Sequence, residues 1–154
     1  MSNNLPKYLT ISTDVQADLV ASISEINPDK IAILVDENTK AFCLSKISID
    51  WDIVIEIKSG EQEKNLSTCE QIWKQLTERG FTRKSLLVNL GGGVIGDMGG
   101  FAAATFKRGM AFINIPTTLL SQVDASIGGK LGVDFNGLKN HIGIFKEPEK
   151  VIVY

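Results

Sequence analysis

The residues best placed to do chemistry begin with a run of glycines. A strand-like stretch, Ser85 to Leu90, leads straight into Gly91-Gly92-Gly93, and a helix-like stretch rich in small residues, Val94 to Phe106, follows. Gly91, Gly93 and Gly96 match the G-x-G-x-x-G pattern of a phosphate-cradling turn. Glycines let the backbone approach a diphosphate, and the free N–H groups and dipole at a helix start favour its charge. The acidic partner that usually follows ~20 positions later to hold a ribose is missing. No carboxylate occurs from Met110 to Leu120. A tight bend followed by close packing through Gly96, Gly99, Gly100 and Ala102 to Ala104 is the competing reading. Asp36, at the end of another strand-like run, stands where a ribose-binding acid falls in a doubly wound sheet. It could equally cap a helix with Asn38. Gly60-Glu61-Gln62-Glu63-Lys64, taken alone, reads as a solvated charged turn.

A second concentration runs from Arg108 to Asn140. It holds Arg108-Gly109, Pro116-Thr117-Thr118, Asp124, Gly128-Gly129-Lys130 and Lys139-Asn140. Cations beside glycines in so apolar a segment need an anion, because an unpaired buried charge is costly. A phosphate is an apt one, and ion pairs with Asp124 or Asp134 are the structural alternative. Gly128-Gly129-Lys130 is not a P-loop: Leu131 replaces the magnesium-binding hydroxyl, and Asp124 stands where the first glycine should be. His141, the single histidine, reads as structural or surface-exposed, and no Ser-His-Asp or Cys-His set is present.

Alternating strands and helices must position these groups. Strands are expected at Lys7–Ser12, Lys30–Val35, Asp52–Ile57, Ser85–Leu90 and Ala111–Ile115. Asp14 is a plausible N-cap for a helix that puts Val15, Leu19, Ile23 and Ile26 on one face. Ser67 and Glu70 have capping-box spacing for a second helix that carries Ile72, Trp73 and Leu76 and stops at Gly80. Strands joined by single helices imply an α/β, Rossmann-like, mainly parallel sheet covered on both sides. The last residues, Val151 to Tyr154, form an apolar strand-like run. A chain seldom stops inside a strand, so residues 1–154 are expected to be one domain of a longer protein.

Bulk properties narrow the partners. At 154 residues the chain is large enough for one core. A net charge of −2 gives no electrostatic reason to expect nucleic acid or an anionic membrane. No run approaches the ~20 apolar residues of a membrane span. Cys43 and Cys69 lack metal-type spacing, and Met1 to Tyr8 lacks the make-up of a secretory signal. A cytoplasmic protein is the expectation.

Read together, Gly91 to Asp97, Gly100-Phe101, Arg108-Gly109, Pro116 to Leu120, Val123 to Ser126, Gly128 to Lys130 and Lys139-Asn140 resemble the dehydroquinate synthase family. The likeness is dense from Leu87 to Val153 and looser before, where Gly60-Glu61 and Lys64 fit the family's nucleotide-binding turn. The resemblance implies an N-terminal NAD-binding domain whose partner, a C-terminal helical domain absent from these residues, carries the ligands for zinc (or cobalt). No metal ligand is assigned within this chain.

On matching positions, the resemblance puts Asp36 and Asn38 on the adenosine side, with Glu61 and Lys64 nearby. Gly92, Gly93 and Val94 would meet the diphosphate, and Asp97, Thr117, Thr118 and Lys139 would complete the cofactor pocket. Asp124, Lys130 and Asn140 would face the substrate, and Arg108 would grip its phosphate across a subunit boundary, implying a homodimer. The implied substrate is a small sugar phosphate. Leu131, Asp134 and His141 depart from the residues common in the family. A sister sugar-phosphate cyclase of the inosose or valiolone type, and a non-catalytic nucleotide-sensing module, are the alternatives.

Overall fold

The computed structural model describes residues 5–125 and 128–154. Six parallel strands form one sheet in the order β1-β8-β5-β4-β2-β3. They are β1 (Leu9–Ile11), β2 (Ile31–Asp36), β3 (Ile53–Ile57), β4 (Leu86–Gly91), β5 (Ala111–Pro116) and β8 (Lys150–Val153). The helices are α1 (Val15–Ile26), α2 (Glu37–Phe42), α3 (Leu66–Glu78) and α4 (Gly93–Thr105). A separate antiparallel hairpin pairs β6 (Lys130–Phe135) with β7 (Leu138–Phe145).

The two-residue period of each strand sorts its side chains between two cores. Ala32, Leu34, Leu87 and Phe112 face a cluster that takes in Ile72 and Leu76 of α3, Met98 and Phe101 of α4, and Leu131 and Val133 of β6. Ile33, Val35, Val88, Leu90, Ile113 and Ile115 face the opposite cluster, with Leu19 of α1 and Ile47. Because both faces are covered, β4 is buried along its whole length and reads as an apolar run broken only by Asn89. The expected Rossmann-like α/β sheet is therefore what the chain forms.

Local signals fix most boundaries. The Asp14 side chain accepts from the Ala17 N–H and starts α1. The second cap differs from expectation. Asn65, not Ser67, accepts from the Thr68 N–H and starts α3 one residue past itself. Gly80 takes the positive φ of 70° that ends this segment. The hairpin was not anticipated, although Asn136 and Gly137, at φ 52° and 76°, are the residue pair that favours a two-residue primed turn.

Cys69 has no exposed surface, and burial pushes its thiol up to about 12. Cys43 is half-buried. Alkylation of the native protein at about pH 8 is expected to modify Cys43 and to reach Cys69 only after denaturation, because the thiolate is the reactive species. Mass mapping of labelled peptides checks this; native labelling of Cys69 would mean that the α3 core opens.

Candidate functional site

The connections diverge at the β2–β4 boundary. After β2 the chain crosses to β3 on one side, and after β4 it crosses to β5 on the other. Such a reversal leaves a crevice beyond the carboxyl ends of the two strands, the usual ligand position in open α/β sheets. The parallel register, Leu34 opposite Asn89, brings Asp36 level with Gly91 at this crevice.

At its floor is the glycine turn. Gly92 is the N-cap of α4 and offers no side-chain hydrogen bond to the helix. The first-turn N–H donors are thus left for an external acceptor. A side chain on Gly91 would strike Ile95 at 2.6 Å, and one on Gly92 would press on the Thr118 methyl at 3.3 Å. The exit of β5 is tied to the same turn, since the Thr117 N–H donates to the Gly91 carbonyl at 3.0 Å. Thr117 and Thr118 are exposed, and the Thr118 hydroxyl pairs with that of Ser121 at 2.8 Å. Gly96 does not serve close packing as the sequence allowed; a methyl there would meet nothing. Gly99 and Gly100 make the tight contacts, against Asn89 and Leu131 respectively. The departure at Leu131 is thereby explained: the residue is buried beneath α4 and packs on Gly100.

Lys64 joins three elements at one point. Gly60, held at φ 114°, opens a single 3₁₀ turn, Glu61–Glu63, that delivers Lys64 inward. Its ammonium lies 2.7 Å from the Asp97 carboxylate in α4 and donates to the Asn140 side-chain oxygen of β7 at 2.6 Å. The Asp134 N–H donates to the Lys64 carbonyl, and the Asp134 carboxylate accepts from the Asn140 N–H. Glu61 is exposed, but Lys64 is only 5% exposed, so the charged turn is not solvated along its whole length. Burial raises the pKa of Asp97; the Lys64 hydrogen bond and charge oppose that rise, and Glu61 and Asp134 add to it. The result is a buried cation shared between a carboxylate and an amide beside the first turn of α4. Sequence spacing could not reveal it, because 76 residues separate Lys64 from Asn140.

Asp36 does cap a helix. Its carboxylate accepts from the Asn38 and Thr39 N–H groups at 2.9 Å each, and the Thr39 hydroxyl accepts from the Asp36 N–H at 3.1 Å, completing a capping box for α2. Capping and ribose binding are separable. Asp36→Ala is expected to lower stability by about 1 kcal/mol through loss of the cap. If Asp36 also holds the ribose, as the resemblance implies, Asp36→Ser keeps the cap and still weakens NAD binding by about tenfold, equivalent to 1.4 kcal/mol. Denaturant titration and calorimetry on the two variants check this; unaltered affinity in both would leave Asp36 a cap alone.

Other candidate residues stand apart. α4 carries the chain away from the crevice, so Arg108, between α4 and β5, lies at the opposite, amino-terminal end of the strands. Arg108 is exposed at φ 70°. Lys130 and Lys139 are exposed too, so burial does not force an anion on these cations. Lys130 pairs with Phe145 at the open end of the hairpin, whereas Asn140, at φ 52° in the irregular part of β7, lies beside Gly132, two residues along β6 from Lys130. The Asp124 backbone belongs to a π-helical turn, Ser121–Ala125, but its side chain, like Ser126, lies outside the described residues. Val94 is half-buried in the first turn of α4. His141 is exposed on β7. Among the described residues, no group of three or more His, Cys, Asp or Glu side chains could hold a metal ion. No helix among them is long and apolar enough to cross a membrane.

Comparison with known proteins follows the same outline. A family described as 3-dehydroquinate synthase N-terminal matches residues 54–154. The chain is 45% identical over 149 residues to a 3-dehydroquinate synthase of Parabacteroides distasonis, covering 94% of this chain and 42% of that protein. It is 50% identical over 131 residues to that of Thermococcus kodakarensis, covering 84% and 38%. The chain thus spans about two fifths of the length of the relatives it matches. Among solved structures, a 2-deoxy-scyllo-inosose synthase complexed with carbaglucose-6-phosphate, NAD+ and Co2+ superposes with TM-score 0.81 at 24% identity, covering 94% of this chain and 42% of that one. A 2-epi-5-epi-valiolone synthase from Streptomyces hygroscopicus, with NAD+ and Zn2+ bound, gives 0.83 at 22%, with the same coverage. At these identities the two structures speak to the fold.

Proposed function

Since the chain belongs to the 3-dehydroquinate synthase family through that enzyme's N-terminal domain, we propose that it is the NAD-binding half of a cyclase converting 3-deoxy-arabino-heptulosonate 7-phosphate to 3-dehydroquinate and phosphate. The observation that carries the reading is the uncapped glycine start of α4, opening on the β2–β4 crevice with the buried Lys64 beside it. The residues present fit a dinucleotide: free N–H donors for the diphosphate, a carboxylate at the end of β2, and two exposed threonines after β5. NAD, when bound, would supply reversible hydride transfer and be regenerated in each turnover.

The chain's own contribution is placement and charge. Gly92, Gly93 and Val94 hold the diphosphate, and Asp36 and Asn38 hold the adenosine side. Glu61, Lys64, Asp97, Thr117, Thr118 and Lys139 frame the rest of the cofactor. Asp124, Lys130 and Asn140 are assigned to the substrate side. Arg108, at the amino-terminal end of the strands, away from the crevice, is assigned to the phosphate held by a second subunit of a homodimer. Zinc or cobalt finds no ligand set among the described residues, so no step is assigned to a metal held by this chain. The proposed setting is the cytoplasmic shikimate route to aromatic amino acids.

The test is an assay of the full-length gene product with NAD, zinc and the heptulosonate phosphate, beside residues 1–154 alone. Dehydroquinate and phosphate from the former, and no turnover by the latter, are expected. Turnover by residues 1–154 would remove the need for a second domain. An inosose or valiolone product from another sugar phosphate would move the protein to a sister cyclase.

A further inference from the structure

Asn89 is buried in the middle of the sheet, 1% exposed, directly opposite Asn114 of β5, itself 6% exposed. The Asn89 side-chain amide donates to the Asn114 side-chain oxygen at 3.0 Å. Its own oxygen has no hydrogen-bond partner. That oxygen is turned against α4: a methyl on Gly99 would lie 1.8 Å from it and 2.4 Å from the amide carbon. A buried carbonyl without a partner is costly, and an apolar residue at this position would avoid the cost. What the amide adds is a fixed spacer. Its bond to Asn114 locks its rotamer, and its far end sets how closely the helix can approach.

We infer that Asn89, through its contact with Gly99, is a positioning residue that sets the depth of α4 and thereby the place of the diphosphate-binding turn. Asn89 lies two residues before Gly91, and Gly99 lies two residues after Asp97 on the same rigid helix. A shift at Gly99 therefore moves the first-turn donors and the Asp97–Lys64 pair together. This rests on the NAD reading given above.

The experiment is a double-mutant cycle in the full-length protein, with NAD affinity read by calorimetry and folding by circular dichroism and Tm. Gly99→Ala should weaken NAD binding by about tenfold and Asn89→Ala by about threefold, while the double variant, in which the new methyl occupies the space the amide vacates, should return to within about threefold of wild type. If Gly99→Ala does not fold, the double variant decides: recovery to that level supports the inference, and a loss of tenfold or more overturns it. Additive losses, or an unchanged Kd with only Tm lowered, would make the pair a core feature without a positioning role. Wild-type protein that fails to bind NAD would instead overturn the cofactor reading itself.

Discussion

Lys64→Met is expected to destabilise the fold by about 3–5 kcal/mol, the range for removing one partner of a buried pair, and, on the proposed cofactor reading, to abolish measurable NAD binding. The cation is 6% exposed and its Asp97 partner 18%, so solvent screens little of the interaction. Without it, Asp97 is left beside Glu61 and Asp134, both of which already raise its pKa. The pH dependence has a definite sign. A carboxyl whose folded pKa is raised contributes stability that is complete below its unfolded pKa and lost as pH rises through the folded value. Removing Lys64 raises Asp97 further, so the deficit of the variant should be widest near neutrality and narrow as Asp97 protonates in acid. Denaturant titrations across that range check it. A second change, Asp97→Leu, should restore most of the stability, because an apolar pair can replace a buried ion pair, but not NAD binding. Recovery of both together would reduce Lys64 to a structural residue.

Gly143→Ala is expected to cost about 2–3 kcal/mol by overpacking and to separate β7 from β6. Gly143 lies opposite Gly132, and a methyl on it would sit 2.3 Å from the Leu131 backbone carbonyl. No rotamer relieves a contact with backbone. β6 is held by Leu131 and Val133 in the core beneath α4, whereas β7 is exposed along its whole length. It is therefore β7 that moves, taking Asn140 from Lys64. Amide exchange should rise across residues 138–145 and NAD affinity should fall with it. The control is Gly137→Ala: a methyl there meets nothing, and the cost is confined to its φ of 76°, about 1 kcal/mol. Equal effects from the two variants would refute the pairing described.

The division between what is legible in the chain and what is not follows the range of the interactions. The parallel sheet could be read directly, because burial on both faces imposes apolar runs on β2 and β4 and helix caps such as Asp14 act within three residues. The glycine turn was legible for the same reason: its geometry is a property of consecutive residues. Its meaning was not, since Gly91 to Gly96 fits a nucleotide cradle and a packing bend equally well. Folding leaves Gly92 without a cap at the strand-order reversal and puts close packing at Gly91, Gly99 and Gly100, the arrangement on which the proposed cradle rests.

Lys64 marks the limit of the sequence most clearly. Its neighbours are charged, so local composition suggests a solvated turn. Only tertiary structure brings Asp97 and Asn140 around its ammonium, because the partners that make burial of a charge tolerable come from two other elements. Conversely, the cations Arg108, Lys130 and Lys139 sit in an apolar stretch of sequence, yet they are exposed in the folded chain. Neighbours along the chain decide turns, caps and strand faces; which charges are buried, and against what, depends on neighbours in space.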